Sequence, residues 1–116
     1  MEKSSVIYRV HLFINPEIEI EYLNWLKIHI GEMLELPGFI TATMTRCETL
    51  GQESSTQQND EVEWIVDYTL KTKTDLENYL NTYAPKMRND GLVRFTGKFR
   101  AKRWILSDFQ QFNGKG

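Results

Sequence analysis

Apolar and polar positions change period several times along the chain. Residues 5–14, SVIYRVHLFI, alternate and are rich in β-branched and aromatic types, which predicts a strand. Asn15-Pro16-Glu17 then reads as a helix start: Asn15 caps, Pro16 suits the first helical position, and Glu17 favours the positive end of the dipole. The helix is expected from Pro16 to about Glu35, where Leu36-Pro37-Gly38 stops it. Residues 39–49, FITATMTRCET, form a second strand with Thr41, Thr43 and Thr45 on one face and Ile40, Ala42 and Met44 on the other. Residues 51–60, GQESSTQQND, lack any apolar anchor and are expected to be a flexible connection. Residues 61–70, EVEWIVDYTL, give a third strand. Thr74-Asp75-Leu76-Glu77 reads as a capping box opening a second helix, in which Pro85 either makes a kink or begins a new short helix near Ala84. Gly91 and Gly97 bracket the end of that region, and residues 98–106, KFRAKRWIL, form a fourth strand. The tail from Ser107 is polar apart from Phe109 and Phe112.

The order β-α-β-β-α-β predicts an α+β, ferredoxin-like fold: a four-stranded antiparallel sheet with both helices on one face and strand order 4-1-3-2. The whole chain, 1–116, is expected to be a single domain with its core at about 5–106. The helix-facing set is every second residue from Val6 to Leu12 and from Val62 to Leu70, with Ile40, Ala42, Met44, Phe99, Ala101 and Ile105. Leu23, Leu26, Ile30 and Met33 of the first helix meet it, as do Leu76, Leu80 and Met87 of the second.

The other face of the sheet carries Ile7, Arg9, His11 and Phe13, then Thr43, Thr45 and Cys47. Glu63, Ile65, Asp67 and Thr69 follow, with Arg100, Lys102, Trp104 and Leu106. Neither helix covers this face, and it mixes large apolar groups with charges of both signs. A second copy packed sheet to sheet would bury the apolar members and pair the charged ones, with Arg9 and His11 near Glu63 and Asp67. The alternative is an amphipathic face left wet.

Charge is unevenly spread beneath a formal total of −2. Residues 1–63 hold four Lys/Arg against eleven Asp/Glu, whereas residues 64–116 hold ten against five. The stretch from Lys86 to Arg103 has seven cations and one anion, Asp90, a patch that could meet phosphates. With no helix-turn-helix, RNP aromatics or GXXG loop, it reads as a face complementing the acidic half, and no nucleic-acid partner is expected. One cysteine, Cys47, and two histidines, His11 and His29, lead to the expectation of no disulfide, no metal centre and no cofactor. No apolar run reaches about 20 residues, and the first residues have no apolar signal core. No membrane partner is expected, and the location is expected to be cytoplasmic.

His29 follows Tyr22 and Leu26 and precedes Met33 on a largely apolar helical stripe, where it is either a core histidine or a general base or ligand holder. Arg88 suits a carboxylate or phosphate, or else an inter-element salt bridge. Tyr68 and Tyr83, with Tyr79, are placed to ring a pocket between sheet and second helix, packing being the alternative role for Tyr68 and Tyr79. His29, Tyr68, Tyr83 and Arg88 are therefore the candidate ligand-binding set. His11 reads as an interface ion-pair member, and Cys47 lacks a histidine positioned by sequence to activate it.

The run His29-Ile30-Gly31-Glu32-Met33-Leu34, then Leu36-Pro37-Gly38-Phe39, resembles the first helix and turn of a bacterial family of unknown function in the dimeric α+β barrel superfamily. Val66-Asp67-Tyr68-Thr69-Leu70 is similar to its third strand. The pattern Ala84-Pro85-x-Met87-Arg88-x-Asp90-Gly91-Leu92-x-x-Phe95 is similar to its most specific signature, and Phe99 to the start of its last strand. The chain departs from the family at Tyr83, where histidine is common. The resemblance, over about residues 6 to 106, implies the fold and a homodimer but no reaction. Three functions are consistent with it: a small-molecule-binding homodimer, a cofactor-independent monooxygenase-like enzyme acting on an aromatic substrate, and a purely structural interaction module that requires only the dimer face. The haem-opening enzymes of this superfamily use an Asn, a Trp and a His. Trp64 could fill the Trp position, but the first strand has no Asn before Asn15 and the second helix has no His.

Overall fold

The computed structural model describes residues 5–48 and 61–116. The 51–60 connection therefore lies outside the described residues. Four strands, β1 (Val6–Ile14), β2 (Phe39–Cys47), β3 (Val62–Leu70) and β4 (Phe99–Leu106), form one antiparallel sheet in the order β2-β3-β1-β4. Three helices, α1 (Glu19–Met33), α2 (Lys73–Thr82) and α3 (Ala84–Arg94), complete the ferredoxin-like arrangement expected from the element order.

The caps show how the polypeptide enters and leaves these elements. Asn15 Oδ1 accepts from the Glu17 amide at 2.8 Å, with Pro16 at the first position, as expected. The first turn, Pro16–Ile18, is nevertheless a 3-10 turn, and α1 proper begins only at Glu19. The capping box that opens α2 lies two residues earlier than Thr74. Thr72 Oγ1 accepts from the Asp75 amide at 3.0 Å and donates to Asp75 Oδ2 at 3.0 Å. The reciprocal geometry needs an extended residue at the cap, and Thr72 supplies it with φ −144° and ψ 162°. Pro85 starts a new helix: α2 ends at Thr82, Tyr83 joins the two, and Pro85 sits in the first turn of α3. Gly91 does not end that helix but lies inside it.

The helix face of the sheet is the core. Val6, Tyr8, Leu12, Val66, Tyr68 and Leu70 are buried there against Tyr22, Leu26 and Met33 of α1 and Leu76 and Tyr79 of α2. Two expected members are not covered. Ile40 is half exposed because β2 carries a bulge: Phe39 pairs with Leu70 and Thr41 with Thr69, so the extra residue swings outward. Phe39 takes the inward place, with its ring edge-on to Tyr68 and Tyr79. Ile105, on the edge strand β4, is also half exposed.

On the opposite face Arg9, His11 and Arg100 pair with carboxylates of the chain, and Lys102 lies 5.8 Å over the Phe13 ring. Arg9 grips Asp67 through both carboxylate oxygens, at 2.8 and 2.9 Å, and the two are direct partners in the β1–β3 register. His11 Nε2 lies 2.9 Å from Glu63 Oε1. Phe13, expected to need a partner, is buried inside this chain: Arg100 lies 4.0 Å over its ring and His11 stacks at 4.3 Å. Trp104 remains 50% exposed, and Phe109 and Phe112 of the irregular tail are 75% and 86% exposed. The basic stretch also finds acidic partners, Lys98 with Glu17 and Arg100 with Glu61, joining the two halves of the chain. Among the described residues no helix is long and apolar enough to cross a membrane.

Candidate functional site

Between the sheet and the helices lies a cavity of about 50 Å³. Tyr8 of β1, Tyr68 of β3, Tyr22, Trp25 and His29 of α1, and Arg88 of α3 line it, with Tyr79 and Arg103 also in the wall. Period-2 alternation brings Tyr8 and Tyr68 to this face as direct register partners, with rings 6.0 Å apart. Helical spacing brings Tyr22, Trp25 and His29 down one side of α1. Burial pushes the hydroxyls of Tyr22, Tyr68 and Tyr79 above the ordinary phenol range, so all three are neutral donors. The tyrosines and the tryptophan thus make an aromatic chamber with neutral polar tips.

Two guanidinium groups, of Arg88 and Arg103, stand in its wall, and Arg88 is the one with a buried, unpartnered nitrogen. Nη2 donates to the Tyr8 hydroxyl at 2.9 Å, which ties α3 to the central strand. Nε is buried and finds no hydrogen-bond partner among the described residues. A buried guanidinium N–H without an acceptor is costly, and it marks where an anionic oxygen would be stabilised. His29 stands across the chamber, stacked on Trp25 at 4.7 Å and 18°. Burial is the first cause that lowers its pKa below the ordinary 6.5, against the raising influence of Glu32 and Asp90, so the imidazole is neutral at pH 7.

Of the four candidate ligand-binding residues, three meet here: His29, Tyr68 and Arg88. Tyr83 stands apart from the lining residues. It forms the joint between α2 and α3, where it accepts no ligand-facing role from this geometry. Gly91 reads from the sequence as a helix end and a signature residue, and Trp25 has no reading there; their pairing is the missed feature. The tip of the Trp25 indole lies so near α3 that a Cβ at position 91 would come within 2.8 Å of Cη2, and Nε1 donates to Asp90 Oδ2 at 2.8 Å. The signal was the Asp90-Gly91 pair within a helix, a glycine where propensity disfavours one. Trp25 and His29 also form the wall of an outer groove of about 360 Å³ between α1 and α3. The stacked pair separates groove from inner cavity. Trp64 faces the helices too, with Nε1 3.4 Å from Glu19 Oε2. Cys47 lies on the far side of the sheet, where burial and then the Glu63 carboxylate push its thiol up, which makes it a poor nucleophile.

The family model described as Domain of unknown function (DUF4286) matches residues 5–109. The chain belongs to the DUF4286 family. No curated protein matches it. Solved structures share the fold of this DUF4286 chain. SnoaB, a cofactor-independent oxygenase from Streptomyces nogalater, matches with a TM-score of 0.59 and 9% identity, over 96% of this chain and 99% of that one. A dimeric ferredoxin-like protein from an uncultured marine organism matches at 0.66 and 10% identity, over 96% and 100%. A conserved protein of unknown function from Bacteroides thetaiotaomicron, described as a possible oxidoreductase, matches at 0.62 and 13%, over 90% and 98%. At these identities the likeness is one of fold.

Two outcomes follow from this geometry in the DUF4286 chain. Gly91→Ala is expected to displace Trp25, change the near-ultraviolet circular dichroism and destabilise the protein by about 1–3 kcal/mol in urea denaturation. Gly31→Ala, in open space on α1, should instead stabilise by roughly 0.5–1 kcal/mol, which isolates the Trp25 clash from helix propensity. For His29, the unfolded imidazole takes up a proton near 6.5 and the folded one only at lower pH. The unfolded chain binds more protons in between, so stability falls as pH drops through that window; urea denaturation at about pH 7.5 and about pH 5.5 should show a drop that is smaller in His29→Gln.

Proposed function

We propose that this protein is a homodimer that binds a small aromatic anion, a carboxylate or phenolate, in the chamber between sheet and helices. The observation that carries the reading is the buried, unpartnered Nε of Arg88 in an aromatic wall. The ring of the ligand would pack among Tyr8, Tyr22, Tyr68 and Trp25, and its oxygen would accept from Arg88 Nε. Small-molecule sites usually offer roughly 300–1,000 Å³, whereas the inner cavity holds about 50 Å³. Binding therefore requires the Trp25–His29 pair to swing aside and join the cavity to the outer groove of about 360 Å³.

The dimer rests on the open sheet face. After internal pairing, Ile7, Ile65, Trp104 and Leu106 are what that face still offers a second copy. One structural neighbour is itself described as dimeric.

A second reading is favoured by one observation, the neutral imidazole of His29 in the wall of the same chamber. A neutral base beside a bound phenol is placed to remove its proton, the step that prepares an electron-rich ring for direct reaction with dioxygen. The neighbour SnoaB is a cofactor-independent oxygenase.

The ligand reading is tested by thermal shift with a panel of hydroxybenzoates and other aromatic carboxylates. A saturable rise in Tm is expected, with affinity falling about ten- to a hundredfold in Arg88→Met, the worth of one charge-assisted hydrogen bond. Equal binding by the variant, or no shift from any member, would remove the reading. Oxygen uptake with quinol-like substrates, lost in His29→Gln while binding persists, would select the enzymatic reading. Light scattering should give twice the chain mass of 13.7 kDa, and Trp104→Glu should give a monomer.

A further inference from the structure

The register of the sheet gathers three side chains that sequence spacing keeps far apart. Cys47 of β2 and Glu63 of β3 are direct cross-strand partners. His11 of β1 lies diagonally from Glu63, which pairs with Phe13. All three project from the open face, are half-buried, and offer ligand atoms that lie within 4.8 Å of one another.

We infer that His11, Cys47 and Glu63 form a binding site for a thiophilic divalent cation of the zinc type, held by one nitrogen, one sulfur and one oxygen. Tetrahedral zinc, with bonds of about 2.0–2.3 Å, sets its ligand atoms roughly 3.3–3.6 Å apart. A cation would replace the direct His11–Glu63 contact, opening its 2.9 Å separation by about half an ångström, while the three ligand atoms, within 4.8 Å of one another, draw in to that spacing. Three protein ligands leave a fourth position for water or another donor, the pattern of an open rather than a closed site. The mixed donor set excludes magnesium and calcium, which prefer oxygen throughout, and a thiolate selects zinc or copper.

The surroundings fit. Asp67 is engaged through both oxygens by Arg9, so the neighbouring carboxylate does not compete for the cation. His11 is held flat against Phe13 at 4.3 Å, which restricts the imidazole. Glu63 next to the thiol disfavours a bare thiolate by like charge, and a cation between them relieves that repulsion. On binding, the thiol proton is released to solvent, and the proton held between His11 Nε2 and Glu63 Oε1 is given up by that bond, leaving the imidazole with a single proton on Nδ1 and its Nε2 lone pair on the metal. Nothing in this site uses the chamber on the other side of the sheet, so it stands whether or not an aromatic anion binds there.

Cobalt is the probe, because a thiolate bound to Co2+ gives a charge-transfer band in the near ultraviolet. The full-length protein is titrated with Co2+ both folded and during refolding from urea, so that a subunit interface over this face does not block entry. The expected result is a band saturating at one equivalent per chain, displaced by Zn2+. It should be absent in Cys47→Ser and weakened by more than about tenfold in His11→Ala. Far-ultraviolet circular dichroism confirms folding of each variant, and if one does not fold the other decides. No band in the wild type, or affinity in His11→Ala within about tenfold of wild type, would overturn the site, the latter showing a thiol that binds metal alone.

Discussion

Everything on both faces of this sheet depends on one register, that of β1 against β3. Tyr8 opposite Tyr68 and Arg9 opposite Asp67 are consecutive rungs of the same ladder. The first pair points to the helices and builds the aromatic chamber; the second points away and forms the bidentate ion pair. A slip of β1 by one residue would turn that strand over, driving Arg9 into the core and the buried Tyr8 into solvent, and would leave Asp67 without its partner. Burying the unpaired Arg9 charge and losing the Tyr8 packing would each cost several kcal/mol. The chamber and the polar cluster are thus two readings of one constraint.

The chamber depends on α3 in a second way. The Trp25 indole reaches from α1 onto the backbone of α3 because position 91 has no Cβ. The hydrogen bond from Nε1 to Asp90 fixes the indole in that position, while Arg88, less than a turn away, reaches the Tyr8 hydroxyl. One helix therefore supplies both the carboxylate that holds Trp25 and one of the two guanidinium groups in the chamber wall. The Tyr83 joint and Pro85 set the direction of α3 independently of α2, which lets this short helix aim both groups at α1 and the sheet.

The sequence made the fold legible because the strands alternate strictly and the breaks fall at Asn15-Pro16, Pro37-Gly38 and Pro85. The inward positions followed from that alternation, and strand order from the succession of elements. The exceptions are local. The bulge at Ile40 cannot be read from alternation, because an extra residue shifts phase without leaving a gap in the pattern. The cap at Thr72 was obscured by a second threonine, Thr74, with an acidic residue at the same spacing. In the chamber, His29, Tyr68 and Arg88 were reachable from residue type and helical position. Trp25 was not, since its role arises from contact with a glycine sixty-odd residues away. The His11, Cys47 and Glu63 cluster was hidden for the same reason. A count of cysteines and histidines argues against a metal, yet three antiparallel strands bring one of each beside a carboxylate.

Pairing inside the chain changes what the open face asks of a partner. A charge buried alone against a second sheet would carry a desolvation penalty too large for a few apolar contacts to offset. Here Arg9 and Asp67 neutralise each other at 2.8 and 2.9 Å, and Arg100 spreads over Phe13 while bonded to Glu61. Most of the polar desolvation on folding has been compensated before any second copy arrives. In the proposed dimer the remaining groups, Ile7, Ile65, Trp104 and Leu106, would contribute their burial at about 25 cal/mol per Å² of apolar area removed from water, with Lys102 the cation still to be accommodated. Internal neutralisation of the charges and association through the apolar remainder are therefore compatible, and the first lowers the barrier that the second would otherwise meet.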